Sequence, residues 1–356
     1  MSETYLEALT SSMTATPAFD GLPAKIIHLE NAVGMTVSLM DIGATWLSCR
    51  VPAGNEKREV LLRAKDMPAH QAQSAYLGAT VGRFANRIKA GQFEVDGQSF
   101  DVTTNNLGNA LHGGTEGFDK RRWDVIAASK QSAAFRLISP DGDQGFPGNL
   151  SVTVTYTLSD DNSLSIDYEA QCDRTCPVSL TNHAYFNLDG ESSGESIKKH
   201  ALWLGAARFL ASDEALIPTG QVRDVKETGL DFTQQKTIER DFMKDEAQRL
   251  AAGYDHAFWF DEKDCDGEKR VARLVSSSAD LAMSVATTMP AIQVYTGNFL
   301  EGTQGASGDY LNRAGIALET QFLPDGPNHP EWGKAGGILE EGEVYRHVTR
   351  YQFSGK

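Results

Sequence analysis

Residues 152–168 read Val-Thr-Val-Thr-Tyr-Thr-Leu-Ser-Asp-Asp-Asn-Ser-Leu-Ser-Ile-Asp-Tyr, and this stretch decides the fold class. Val152, Val154, Tyr156 and Leu158 alternate with Thr, the period of a strand with one buried face. Ser159, Asp160, Asp161 and Asn162 then form a turn, after which Leu164, Ile166 and Tyr168 resume the alternation. Two such runs joined by a polar turn predict an antiparallel hairpin. A second hairpin is predicted from Phe93 and Val95, through Asp96-Gly97, to Ser99, Phe100 and Val102, because Gly supplies the positive φ of a tight turn.

Shorter alternating runs fall at 36–40, 134–138, 281–285 and 292–295, separated by turn clusters at 52–55, 141–143, 189–190 and 324–327. Only 236–252 has a helical pattern, with Ile238, Phe242 and Met243 on one side. Many short strands with frequent turns predict an all-β chain, a large antiparallel β-sandwich. The 356 residues contain no repeat and no low-complexity linker, so one domain spanning 1–356 is expected, with 1–20 a polar N-terminal extension.

Composition excludes more than it identifies. The chain has 33 Lys plus Arg against 48 Asp plus Glu, a formal charge of −15. That excess repels phosphate backbones and anionic lipid, so neither nucleic acid nor a membrane surface is an expected partner. Acidity names no partner of its own. No run approaches the ~20 apolar residues of a membrane helix, and the start MSETYLEALTSSM lacks the basic and apolar regions of a signal peptide. A cytoplasmic location is expected. Four cysteines, Cys49, Cys172, Cys176 and Cys265, are too few for a disulfide scaffold and lack zinc-type spacing, so buried reduced thiols are expected.

Several motif matches fail on physical grounds. Residues 190–194 (GESSG) match the hydrolase string around Ser192, but the polar ESIKKH that follows is no packed helix. Asp141-Gly142-Asp143 starts like a calcium loop, yet Val152 stands at the twelfth position, where a bidentate Glu is required. P-loop and H-E-x-x-H strings are absent, so neither cofactor nor metal is expected.

The informative residues are polar groups set in apolar runs. Residues 82–88 (GRFANRI) hold Asn86 and two arginines, and 111–114 (LHGG) place His112 beside a glycine pair whose backbone can approach a ligand closely. Residues 181–187 (TNHAYFN) carry five hydrogen-bonding side chains in seven positions. Residues 254–258 (YDHAF) set Asp255 and His256 among aromatics, and 316–322 (IALETQF) end an apolar strand with a lone carboxylate, Glu319. Singly, each has a structural explanation: a satisfied core histidine, a turn, or Arg87 paired with Asp255 or Glu319. Together they suit a neutral polyol, whose hydroxyls need many donors and acceptors. Phe84, Tyr185 and Phe258 are candidates to face the apolar side of a sugar ring.

These motifs resemble the aldose 1-epimerase (galactose mutarotase) family, bacterial type. The resemblance is carried by 82–88 (GRFANRI), 111–123 (LHGGTEGFDKRRW), 141–149 (DGDQGFPGN), 181–190 (TNHAYFNLDG), 253–258 (GYDHAF), 293–300 (QVYTGNFL) and 318–332 (LETQFLPDGPNHPEW). It implies a galactose mutarotase-like supersandwich that interconverts the α and β anomers of aldohexoses without a cofactor. By match to the family's motifs, Glu319 is the general base and His183 the general acid. Asn86, Arg87, His112, Asp255 and Gln293 match sugar-contacting positions, and Tyr185 borders the same site. The chain departs at Pro290-Ala291, where many relatives have Pro-Gly.

The pathway implied removes the anomeric hydroxyl proton, protonates the ring oxygen and opens C1–O5 to an aldehyde. Reference pKa values of roughly 4.3 for Glu and 6.5 for His separate base from acid. Arg87 and His112 are expected to hold ring hydroxyls or the developing charge on oxygen. Competing readings are a carbohydrate-binding sandwich without catalysis and a sugar-phosphate epimerase using Lys120-Arg121-Arg122. A Ser192 hydrolase is the third.

Overall fold

The computed structural model describes residues 2–355. Two antiparallel sheets dominate. The larger has nine strands in the spatial order Asp124–Ala128, Ser132–Ser139, Leu150–Leu158, Ser163–Cys172, Val344–Gly355, Leu281–Thr287, Arg270–Val275, Ala201–Leu204 and Lys236–Thr237. The smaller has six: Tyr185–Phe186, Ile316–Gln321, Ala291–Tyr295, Asp255–Trp259, Arg208–Ser212 and Pro218–Asp224. A four-stranded N-terminal sheet, from Ile26–Glu30 to Glu56–Glu59, completes the packing.

The opening hairpin is central to this arrangement. Leu150–Leu158 pairs with Ser163–Cys172 in unbroken register, Val154 opposite Tyr168 and Tyr156 opposite Ile166. Gln92–Val95 and Gln98–Asp101 form the second predicted hairpin, with Asp96 and Gly97 both at positive φ. Tyr156, Ile166, Val285 and Tyr351 of the large sheet share one apolar core with Phe258, Ile292, Val294 and Leu318 of the small sheet. Strand alternation then puts Asp255, Ala257, Gln293, Tyr295 and Glu319 on the opposite face of the small sheet. That face carries the site.

Two expectations, a helix over 236–252 and sugar-facing Phe84 and Phe258, are corrected, and the N-terminal segment gains a helix. The segment 236–252 is not one helix: a short strand is followed by a 3₁₀ turn, Ile238–Asp241, and a helix limited to Glu246–Leu250. Polar groups there bond locally in place of a helical ladder. Asp241 takes Lys236 at 2.7 Å, and the Met243 N–H donates to Gln248 Oε1 with Met243 at φ 61°.

The polar extension expected at 1–20 contains a helix, Ser2–Thr14, docked on the body. Leu9 and Met13, one helical turn apart, are fully buried, and the Tyr5 hydroxyl donates to Glu59 at 2.8 Å. Phe84 and Phe258 are core residues at 1% and 0% exposure and belong to different apolar clusters. Their rings are packed among apolar side chains of those clusters.

Among the described residues no helix is long and apolar enough to cross a membrane. Lys120, Arg121 and Arg122 are committed to structure. Lys120 donates to the Thr115 carbonyl at 2.7 Å, Arg121 pairs with Asp143, and Arg122 bridges Asp20 and Asp41, each at 2.5 Å. Ser192 lies exposed in a 3₁₀ turn with no helix packed behind it.

Candidate active site

Glu319 sits in mid-strand, directly opposite Gln293, which is opposite Ala257 on the next strand. One step along, Ala317 lies opposite both Tyr185 and Tyr295, and Tyr295 opposite Asp255. Cross-strand partners share a face. Four neighbouring strands thus deliver Glu319, Gln293, Asp255, Tyr295 and Tyr185 to one patch. The departure at Pro290-Ala291 leaves Gln293 in regular strand pairing.

His183 arrives from a different direction. Thr181–Asn182 pairs with Thr80–Val81, and the His183 backbone is then bonded at both ends to the preceding turn. Its N–H donates to the Ala79 carbonyl at 2.9 Å, and its carbonyl accepts from the Gly78 N–H at 3.0 Å. Gly78, at φ 69°, is held closely: a Cβ there would fall 2.1 Å from the Trp46 carbonyl oxygen. The result places His183 Nε2 3.5 Å from Glu319 Oε1, with both side chains nearly inaccessible.

Asn86 and His112 form a reciprocal pair. Both have positive φ, the His112 N–H donates to the Asn86 carbonyl at 3.0 Å, and the Asn86 N–H donates to His112 Nδ1 at 3.1 Å. With Nδ1 accepting, the neutral ring carries its proton on Nε2. His112, His183 and Glu319 have ligand atoms within 4.8 Å of one another. A cation would need a lone pair that His112 has given to the Asn86 N–H, so the set suits a hydroxyl better than a metal.

The glycine pair beside His112 serves the protein rather than a ligand. A Cβ on Gly113 would meet the Gly82 carbonyl oxygen at 2.0 Å. Arg87, buried at 8% exposure, donates from Nε to Asn106 at 3.2 Å. Neither Asp255 nor Glu319 is within ion-pair distance of it among the described residues, yet its charge favours the ionised form of both.

The site holds unused hydrogen-bonding capacity. Gln293 Nε2 donates to Asp255 at 2.6 Å, while Gln293 Oε1, Glu319 Oε2 and His183 Nδ1 are buried without a protein partner. Such groups are costly to leave unpaired, and converging here they mark a place for a polar ligand.

Burial sets the protonation of this cluster. It pushes Glu319 well above the usual carboxylate range, aided by Asp255 and opposed by Arg87. Burial also raises Asp255, lowers His183 to about 4 and holds His112 well below its usual value. Glu319 is thus pushed up and His183 down, each toward its neutral form. Removing water penalises charge on both partners.

All eight residues expected at the site lie in or beside this cluster. Two were missed. Tyr295 is two residues past Gln293 on the same strand, so its alternation was readable. Tyr76 stands in an irregular turn at φ 57° with no periodic signal, and it packs against His112 at 4.6 Å and His183 at 5.8 Å between ring centroids.

Residues 25–352 match the aldose 1-epimerase family model. The chain is 46% identical to the aldose 1-epimerase of Escherichia coli K12 over 345 residues, covering 96% of this chain and 99% of that one. It is 39% identical to the galactose mutarotase of Rattus norvegicus over 323 residues, 90% and 91% of the two chains. Among solved structures, a GalM/aldose epimerase homologue from C. elegans superposes with a TM-score of 0.84 at 30% identity, covering 93% and 99%. A galactose 1-epimerase from Lactobacillus acidophilus gives 0.82 at 28%, covering 94% and 96%. Placed beside the strand order and the His183–Glu319 cluster, these similarities show that the chain belongs to the aldose 1-epimerase family.

Proposed function

We infer that the protein is an aldose 1-epimerase that interconverts the α and β anomers of neutral aldohexoses such as galactose and glucose. Glu319 is the base that removes the proton from the anomeric hydroxyl, and His183 is the acid that protonates the ring oxygen. The C1–O5 bond breaks, O1 becomes the aldehyde oxygen, and C1–C2 rotates. Reclosure with the roles of acid and base exchanged gives the other anomer. Each group supplies roughly 10²–10⁴-fold.

The observation that carries this reading is the 3.5 Å approach of His183 Nε2 to Glu319 Oε1 within a buried cluster of unpaired acceptors and donors. Burial disfavours the ion pair. A bound sugar supplies what water no longer does: hydroxyl donors to Glu319 and an oxygen acceptor for the His183 proton. Arg87, whose charge already favours ionised Glu319, helps draw the proton from the carboxyl toward the imidazole. Arg87 and His112 Nε2–H hold ring hydroxyls and the charge developing on oxygen. Asn86, Asp255 and Gln293 fix hydroxyl positions, and Tyr185 walls the pocket.

A neutral sugar is favoured over a sugar phosphate because the Lys120–Arg122 cations are consumed in structural contacts. We further propose that residues 1–356 act as one domain, cytoplasmic, without cofactor or metal. Polarimetry on freshly dissolved α-galactose, α-glucose and glucose 6-phosphate tests the reading. Catalysed rotation change is expected for the free sugars and much less for the phosphate. Sugar binding without any acceleration would favour a non-catalytic carbohydrate-binding sandwich.

A further inference from the structure

The imidazole of His183 is packed by two tyrosines in near-parallel orientation. Tyr76 lies 5.8 Å away at 19° between planes, and Tyr185 lies 4.9 Å away at 29°. Two further rings meet it edge-on, His112 at 5.3 Å and Tyr295 at 6.4 Å. Tyr185 comes from the small sheet, but Tyr76 has no strand to hold it and stands at a positive φ that a bulky residue rarely adopts.

The turn holding Tyr76 is also the turn that anchors His183. The Tyr76 carbonyl accepts from the Ala79 N–H at 3.0 Å, and Ala79 and Gly78 bond the His183 backbone. Through this turn and its ring contacts Tyr76 joins the His112 loop to the His183 segment, with its ring against both imidazoles.

We propose that Tyr76 is a positioning residue for the reaction: with Tyr185 it forms an aromatic seat that holds the His183 ring toward Glu319 and stabilises that ring when it carries the proton. The proposal rests on His183 acting as the general acid. The groups facing His183 are Glu319 at 3.5 Å, His112, Tyr76, Tyr185 and Tyr295, with Arg87 and Asp255 acting through Glu319. Of these, Glu319 and the tyrosine faces favour the imidazolium. A desolvated cation on an aromatic face gains a factor of roughly 10–30.

Tyr76→Leu, Tyr76→Phe and Tyr76→pentafluorophenylalanine test the seat, with kcat and KM measured separately from pH 5 to 9. Tyr76→Leu is expected to lower kcat by about 10- to 30-fold with KM within about threefold. The limb of the pH profile that depends on protonated His183 should move acidward by about one unit. Tyr76→Phe should restore kcat to within about threefold of the natural protein. If Tyr76→Leu fails to fold, the pentafluoro ring keeps the shape and reverses the charge of the face, and it should show the same fall.

Either deficient variant with natural kcat and an unchanged pH profile overturns the proposal. So does a change confined to KM, which would make Tyr76 a sugar contact. His183→Gln is the separate control: full activity there removes the general-acid assignment itself, not only the seat.

Discussion

Gly78→Ala is a small change that should damage catalysis from outside the reacting groups. Gly78 has φ 69°, and an added Cβ would lie 2.1 Å from the Trp46 carbonyl oxygen. To reach an ordinary contact of 3.4 Å the turn must retreat by about 1.3 Å. It cannot retreat alone. The Gly78 N–H donates to the His183 carbonyl, and its own carbonyl accepts from the Trp46 N–H and from Asn182 Nδ2, both at 2.8 Å. The left-handed conformation alone costs about 1–2 kcal/mol for a residue with a Cβ.

Displacement of an acid by ~1 Å costs about 10²-fold in rate. Polarimetric kcat for Gly78→Ala should fall by about that factor under conditions where circular dichroism shows the fold intact. Gly54→Ala is the matched control. It has φ 62° and open space around it, at the turn between Thr45–Ala53 and Glu56–Glu59. It should lose only the left-handed cost of about 1–2 kcal/mol and keep its activity. A folded Gly78→Ala protein within threefold of natural kcat would refute the claim that this turn sets the position of His183.

Three further outcomes follow from the same geometry. Arg83 is fully buried and donates to Ser139 Oγ and to the carbonyls of Ser139, Pro140, Pro147 and Gly148. Arg83→Lys cannot reproduce that fork and should cost about 3 kcal/mol or more in urea unfolding. His70 is buried and held at about 4. The unfolded chain therefore binds a proton there between pH 6.5 and 4 that the fold excludes, so this residue lowers stability as pH falls through that window. Comparison of urea midpoints at pH 7 and pH 4.5 should show a smaller loss in His70→Gln, by up to about 3 kcal/mol. Asp255 raises Glu319, so Asp255→Asn should move the acidic limb of the kcat/KM profile to lower pH while KM rises. An unmoved limb would count against that coupling.

Period-two alternation made the sheets legible, because a half-buried strand must separate its faces. The run from Val152 to Tyr168 falls in the pairing it predicts. The same rule sets Asp255 on the site face and Phe258 in the core. That parity turns Phe258 away from a sugar and sets Tyr295 on the same face as Gln293. Phe84 lies outside regular strand, where no parity applies.

At 236–252 the apolar spacing does mark burial of Ile238, but Asp241, Asp245 and Gln248 bond to nearby backbone and side chains and break the ladder. In the N-terminal segment the Tyr5–Leu9–Met13 spacing was readable. Its polar surroundings hid a helix whose stability comes from docking. Tyr76 had no signal in one sequence, since only the folded turn brings it to His183. The protonation of the Glu319–His183 pair was equally unreadable. It depends on burial that reference values do not contain.

The most direct test of the central claim is the rate of anomer interconversion, followed by polarimetry, for Glu319→Gln and His183→Gln beside the natural protein. A fall of about 10²–10⁴-fold is expected for each variant with the fold retained, with the double variant much less impaired than the product of the two. A folded Glu319→Gln protein that interconverts anomers at the natural rate would contradict that claim.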